Sequence, residues 1–182
     1  MLSPNSQISK KTKSKTMKIF IGLCLFLTLS FAAFGQKSKP LAPDFSATSM
    51  QGAKFDLGEL KGKVVLLTFW STKCPICAAE TPKLNELAAN YRNKNVVFIG
   101  LTMENVDKVV AHLKKKPFAF NIIPNSFDVV LKYGDQDGDG KIAMGFPAHF
   151  LVNQKSEIEL QTNGFDKTEV LNERIGKLLN SK

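Results

Sequence analysis

Two cysteines, Cys74 and Cys77, stand two residues apart in Trp70-Ser71-Thr72-Lys73-Cys74-Pro75-Ile76-Cys77, and no other cysteine follows residue 35. The preceding residues read as a buried strand and the following ones as a helix, which puts Cys74 at a helix N-terminus. Free backbone N–H groups and the positive end of the helix dipole favour thiolate over thiol there. One helical turn brings the second sulfur close enough to close a disulfide. Cys74, at the open end, is the nucleophile expected to attack a substrate disulfide, and Cys77, deeper along the helix, would resolve the mixed disulfide. Two other readings compete: a pair of small buried hydrophobes, and half of a zinc site. Zinc needs a second ligand pair, which two scattered histidines, His112 and His149, do not supply. A lone C-x-x-C in an alternating strand and helix pattern points to redox chemistry.

A second candidate group is Asp135-Gln136-Asp137-Gly138-Asp139-Gly140-Lys141-Ile142. Asp135, Asp137 and Asp139 alternate as in the opening of a calcium loop, with Gly140 in the sixth place. The twelfth place holds Phe146, where a bidentate glutamate belongs, so a complete EF-hand is excluded. Weak Ca²⁺ binding by the three aspartates and a plain turn rich in Asp and Gly both remain open.

The elements that must position these residues follow from patterning. Lys63 to Trp70 is a near-continuous run of apolar β-formers, as in a strand covered on both faces, and Asn95 to Leu101 is a second. A helix is predicted over Cys77 to Tyr91, with Pro82 placed to bend it, and another over Asn105 to Lys115, stopped by Pro117. Phe118 to Ile123 reads as a short strand and Asn125 to Tyr133 as a short helix. Ala148 to Val152 and Glu157 to Gln161 form a hairpin. Asp166, with Glu169 three residues on, would cap a last helix. Strands alternating with helices imply an α/β sandwich with a mixed sheet.

The chain of 182 residues carries 25 Lys and Arg against 16 Asp and Glu, a formal charge of +9. Much of this excess lies at one end. Met1 to Lys18 holds five lysines and no acid, and Ile19 to Phe34 is almost wholly apolar, the order of a secretion signal. Ala33 and Gly35 suit cleavage before Gln36, although Met17 would make a more usual start. Sixteen apolar residues fall short of the roughly 20 that span a bilayer, which favours cleavage over an uncleaved anchor. Cys24 follows Leu23 inside the apolar run, which does not suit lipid attachment. The expected division is therefore a signal over residues 1–35 and one domain over 36–182, where 20 basic residues face 16 acidic ones. Nucleic acid is not an expected partner: Lys114-Lys115-Lys116 reads as a helix C-terminal turn.

From Leu41 onward the chain resembles exported thioredoxin-like redoxins of the TlpA and ResA type. The resemblance is carried by Ala42-Pro43-Asp44-Phe45, Gly52, Leu60-Lys61-Gly62-Lys63-Val64-Val65, Phe69-Trp70, Cys74-Pro75-Ile76-Cys77 with Glu80 and Pro82, and Gly145 to Val152. It implies a thioredoxin-like three-layer sandwich, a mixed sheet flanked by helices with an N-terminal β extension. It further implies a cis Phe146–Pro147 bond facing the cysteines, with Phe146 offering backbone to a substrate strand. Trp70, Pro75 and Ile76 join it in the expected substrate-contacting set, Trp70 also packing beside the disulfide. Glu80 is expected to shuttle a proton or tune the cysteines, all the more because Thr68 occupies the strand position of the buried aspartate of ordinary thioredoxin. Lys73 and His149 depart from the family pattern: Lys73 sets a cation beside Cys74, and His149 fits either a hydrogen bond near the active site or a structural partner.

The function so implied is disulfide exchange with protein substrates in the periplasm, more as a reductase, by a monomer that draws electrons from a membrane thiol carrier. It needs no cofactor beyond the Cys74–Cys77 disulfide. A peroxiredoxin is a rival, but Leu67 stands seven residues before Cys74, and the only arginines, Arg92 and Arg174, lie outside the strand where a peroxide site needs one. A binding module using the cysteines as a staple is the other.

Overall fold

Every residue of the strand Val64–Phe69 (β3) is buried, the expected fate of an uninterrupted run of Val, Leu, Thr and Phe. The computed structural model describes residues 38–136, 138–139 and 142–181. The proposed signal over residues 1–35 lies outside them. Ahead of β3, Ser46–Thr48 (β1) and Lys54–Asp56 (β2) pair antiparallel as the N-terminal β extension. A turn through Gly62, at φ +91°, leads into β3.

The elements after β3 alternate as the patterning predicts. They are Pro75–Asn90 (α1), Val96–Leu101 (β4), Val106–Leu113 (α2), Asn121–Ile123 (β5) and Phe127–Tyr133 (α3). Then come the two-residue strands Asp135–Gln136 (β6) and Ile142–Ala143 (β7), followed by Ala148–Val152 (β8), Ile158–Asn163 (β9) and Thr168–Asn180 (α4). The central sheet runs β5-β4-β3-β8-β9, with β3, β4 and β5 parallel and β8 and β9 antiparallel, so it is mixed. Among the described residues no helix is long and apolar enough to cross a membrane.

Alternation along β3 divides the core into two layers. Val64 and Leu66 pack with Leu84 and Leu87 of α1, Val109 of α2, and Leu171 and Ile175 of α4. Val65, Leu67 and Phe69 pack on the other face with Phe45, Val129, Val130 and Tyr133. Burying each large apolar side chain contributes about 1.5–3 kcal/mol, so this double coverage fixes where β3 ends and where Cys74 begins. Gly100 in β4 lies at a close approach: a Cβ there would sit 2.7 Å from Ile122 Cδ1 and 3.3 Å from Trp70 Nε1. Its missing side chain makes room for the indole.

Several boundaries differ from the patterning. The first helix begins at Pro75 and continues through Pro82, because Cys74 itself supplies the N-cap. Asn105 caps α2 by accepting from the Lys108 N–H at 3.1 Å. Asp166 does not cap α4. It takes φ +63° and pairs with Lys83 at 2.6 Å, which leaves Lys167 at the helix entry.

Candidate active site

Cys74 sits where β3 hands over to α1, with extended backbone at φ −90° and ψ 107°. Pro75 follows at the first helical turn, where its missing N–H costs nothing and its fixed φ suits the helix. Cys74 and Cys77 are disulfide-bonded with Cα atoms 5.3 Å apart. The Cys77 N–H donates to Cys74 Sγ at 3.1 Å, so a helix-terminal N–H is aimed at the sulfur that would carry negative charge after reduction. Cys74 is half-buried and Cys77 only 4% exposed, the outward and inward arrangement expected of attacking and resolving sulfurs.

The turn before Cys74 is anchored by a residue the sequence reading did not single out. Glu104, just beyond β4, accepts from the Ser71 hydroxyl at 2.6 Å and the Thr72 N–H at 3.2 Å, and also takes the Thr102 hydroxyl. Burial pushes its carboxyl up, but the hydrogen bonds from Ser71 and Thr102 outweigh burial and hold it below the ordinary value. The available signal was position: Glu104 follows the C-terminal end of a parallel strand beside β3, where α/β sheets place their sites.

The Phe146–Pro147 bond is cis, and the Phe146 carbonyl oxygen lies 3.7 Å from Cys74 Sγ. Cys74, Cys77, Phe146 and Pro147 thus come together from segments far apart in the sequence, while Pro75 and Ile76 face outward beside them. Trp70 packs in the same core layer as Cys77, the neighbourhood of the disulfide expected for it. It is only 3% exposed, its ring set against Phe118 and His112 at centroid distances of 5.7 and 5.4 Å, because it closes the core at the end of β3. Its ring therefore backs the Ser71–Thr72 turn that leads to Cys74.

Below the cysteines lies a polar group with no access to water. Glu80 and His149 are 0% exposed and Thr68 1%. Thr68 and His149 are register partners on β3 and β8, so their side chains share the face on which α1 lies. His149 Nδ1 is 3.0 Å from Thr68 Oγ1, and His149 Nε2 is 3.3 Å from Glu80 Oε2. Glu80 Oε1 accepts the Lys167 N–H at 2.8 Å, which ties the carboxylate to the residue that precedes α4, a helix with no side-chain cap of its own. His149 therefore serves both readings left open for it: it has structural partners, and one of them is Glu80. Two hydrogen placements satisfy the whole group. Either Nε2–H donates to an ionised Glu80 and Nδ1 accepts from Thr68, or a protonated Glu80 donates to Nε2 and Nδ1–H donates to Thr68. The group can hold a proton on either side, one helical turn from Cys77.

Asp135 and Asp139 are exposed, Asp137 is outside the described residues, and among the described residues no three acidic, His or Cys side chains form a metal-holding group.

Comparison with known proteins agrees with this geometry. A family model described as Redoxin matches residues 36–178. Thiol-disulfide oxidoreductase ResA of Bacillus anthracis is 33% identical over 138 residues, covering 75% of this chain and 76% of that protein. Thioredoxin-like protein YneN of Bacillus subtilis (strain 168) is 26% identical over 140 residues, covering 77% and 79% respectively. The crystal structure of a thiol:disulfide interchange protein of the thioredoxin family from Chlorobium tepidum TLS superposes with a TM-score of 0.68. It covers 80% of this chain and 100% of that one at 19% identity, a likeness of fold.

Proposed function

The chain belongs to the redoxin family and is a ResA-like thiol-disulfide oxidoreductase of thioredoxin fold, and from that premise we propose that it reduces disulfides of protein substrates outside the cytoplasm. The carrying observation is Cys74: a half-buried sulfur at the start of α1 that accepts the Cys77 N–H, with Cys77 buried behind it. In the reduced protein Cys74 thiolate attacks a substrate disulfide, forming a Cys74–substrate bond and expelling the other substrate sulfur as a thiolate. Cys77 then gives up its proton and attacks Cys74 Sγ. The substrate's second sulfur leaves, the protein holds the Cys74–Cys77 disulfide, and two electrons have passed to the substrate.

Glu80, one turn along α1 from Cys77, is the acceptor we assign for the Cys77 proton, with His149 as its partner. Pro147 and the Phe146 backbone receive the substrate strand beside Pro75 and Ile76. No cofactor is required beyond the disulfide itself. The basic and then apolar order of residues 1–34 supports export, and a membrane thiol carrier is the electron donor that such a location calls for.

Peroxidase chemistry is not favoured. Leu67 is fully buried in β3, and Arg174 is engaged with Glu159 at 3.1 Å, so neither equips Cys74 to cleave a peroxide. Insulin reduction driven by dithiothreitol, compared between the parent and Cys74→Ser, tests the proposal. A parent that accelerates insulin reduction while Cys74→Ser does not supports it. Equal performance of the two, or rapid consumption of hydrogen peroxide by the parent, overturns it.

A further inference from the structure

Beside Cys74 the surface opens into a cleft of about 300 Å³ whose lining includes Lys73, His112, Lys115 and Lys116. Read along the sequence, Lys115 and Lys116 are the end of a helix. In the fold they are brought to the redox sulfur, because Val109 anchors α2 in the core and the His112 ring stands against Trp70. Lys73 reaches the same cleft from the turn before α1.

Three lysines therefore line the cleft that Cys74 also lines. Among the described residues none of the three forms an ion pair; the lysines that do are Lys39, Lys83 and Lys177. No carboxylate lines the cleft. Glu104 adjoins it through Thr72, but its oxygens are taken up by the Ser71 and Thr102 hydroxyls and the Thr72 N–H. The balance is positive, and the open shape leaves the charges available to an incoming chain. Burial, with repulsion from Lys116, holds the His112 pKa below its ordinary value, so near neutral pH the imidazole is uncharged and can hydrogen-bond a carboxylate beside the lysines.

We propose that this cleft is a selecting subsite for acidic peptide: it takes a carboxylate side chain flanking the substrate cysteine that Cys74 attacks. The inference rests on the reading of Cys74 as the attacking sulfur. Unpaired charges of one sign next to a reacting atom raise the encounter rate of opposite charge and repel like charge. Lys115 and Lys116 act on which substrates arrive, and leave the exchange chemistry to the cysteines.

The test uses the reduced full chain and two short disulfide-linked peptide dimers, one with glutamates and one with lysines flanking the cysteine. Neutral 2,2′-dithiodipyridine serves as a third substrate, and each rate is divided by that of free cysteine. The acidic peptide is expected to react about tenfold faster than the basic one at low salt. The gap should close in about 1 M salt, where charges are screened beyond about 3 Å. Lys115→Glu combined with Lys116→Glu should abolish or reverse the preference while the dithiodipyridine rate stays at the parent value. Equal peptide rates, or a preference that survives the double substitution, overturn the subsite and leave the oxidoreductase intact. Failure to react with all three disulfides overturns both.

Discussion

His149 Nε2 and Glu80 Oε2 lie 3.3 Å apart with both side chains wholly buried, joining the sheet at β8 to helix α1 one turn from Cys77. Neither group can turn to water if the other is removed. His149→Ala should therefore destabilise the protein by about 1–3 kcal/mol, the cost of stranding a buried polar partner. Glu80→Ala should cost more, about 3–5 kcal/mol, because Glu80 also accepts the Lys167 N–H that opens α4. Urea unfolding of both single variants and the double variant measures this. Strictly additive effects would show that the pair is not coupled.

That pair also marks the boundary of what could be read from the sequence. Local patterning identifies β3, because its residues are apolar without interruption, and places Cys74 at a helix start. Glu80 can be placed beside the cysteines on helix periodicity and family resemblance. Its partner could not be, because Thr68 and His149 meet only through the register of β3 against β8, which no local pattern encodes. The same limit hides Glu104 and the start of α4: a capping-box pattern at Asp166 is local, whereas the fold holds the Lys167 N–H from α1 and leaves α4 with no side-chain cap. For Trp70 the resemblance implies both substrate contact and packing beside the disulfide, and the fold shows the packing, with the ring only 3% exposed.

The contact between Trp70 and His112 gives a pH readout. The His112 pKa is lowered from 6.5, chiefly by burial and then by the charge of Lys116, with Glu104 opposing. A histidine depressed in the folded state is neutral in both states above 6.5. As pH falls from 6.5 toward the folded value the unfolded chain takes up the proton first, so stability declines over that interval. Trp70 is the single tryptophan, and its emission should titrate with a midpoint below 6.5. His112→Asn should remove the transition, and Lys116→Gln should move it upward. A midpoint above 6.5 would show that the imidazole is not held in the neutral form.

Glu104 should behave in the opposite sense. Its carboxyl lies below the ordinary 4.5 because the Ser71 and Thr102 hydrogen bonds outweigh burial. The stabilisation is fully present above 4.5 and is lost as pH falls through the lower, folded value. Glu104→Ala removes the acceptor that holds Ser71 and Thr72, and should cost about 1–3 kcal/mol near neutral pH. The variant should also exchange its disulfide more slowly with dithiothreitol, since the turn that presents Cys74 is released. A variant as stable as the parent at neutral pH, with the same acid sensitivity, would mean that the anchor contributes nothing.

Gly100 offers a test of how closely the core supports the site. A methyl group there would meet Ile122 Cδ1 at 2.7 Å, Trp70 Nε1 at 3.3 Å and Phe118 Cε1 at 3.5 Å. None of these neighbours can swing into solvent: Ile122 is 0% exposed, Trp70 3% and Phe118 8%. Gly100→Ala must displace at least one of them, and overpacking of this kind costs about 1–3 kcal/mol. Ile122 is covered by β4 and the helical layer, so part of the displacement should reach the indole and change its emission in the folded protein. Trp70 lies immediately before the Ser71–Thr72 turn, and the strain is therefore expected to appear in disulfide exchange at Cys74 as well as in unfolding. Parent-like unfolding together with unchanged emission would show that Ile122 accommodates the methyl group by itself, and that Gly100 is not what makes room for Trp70.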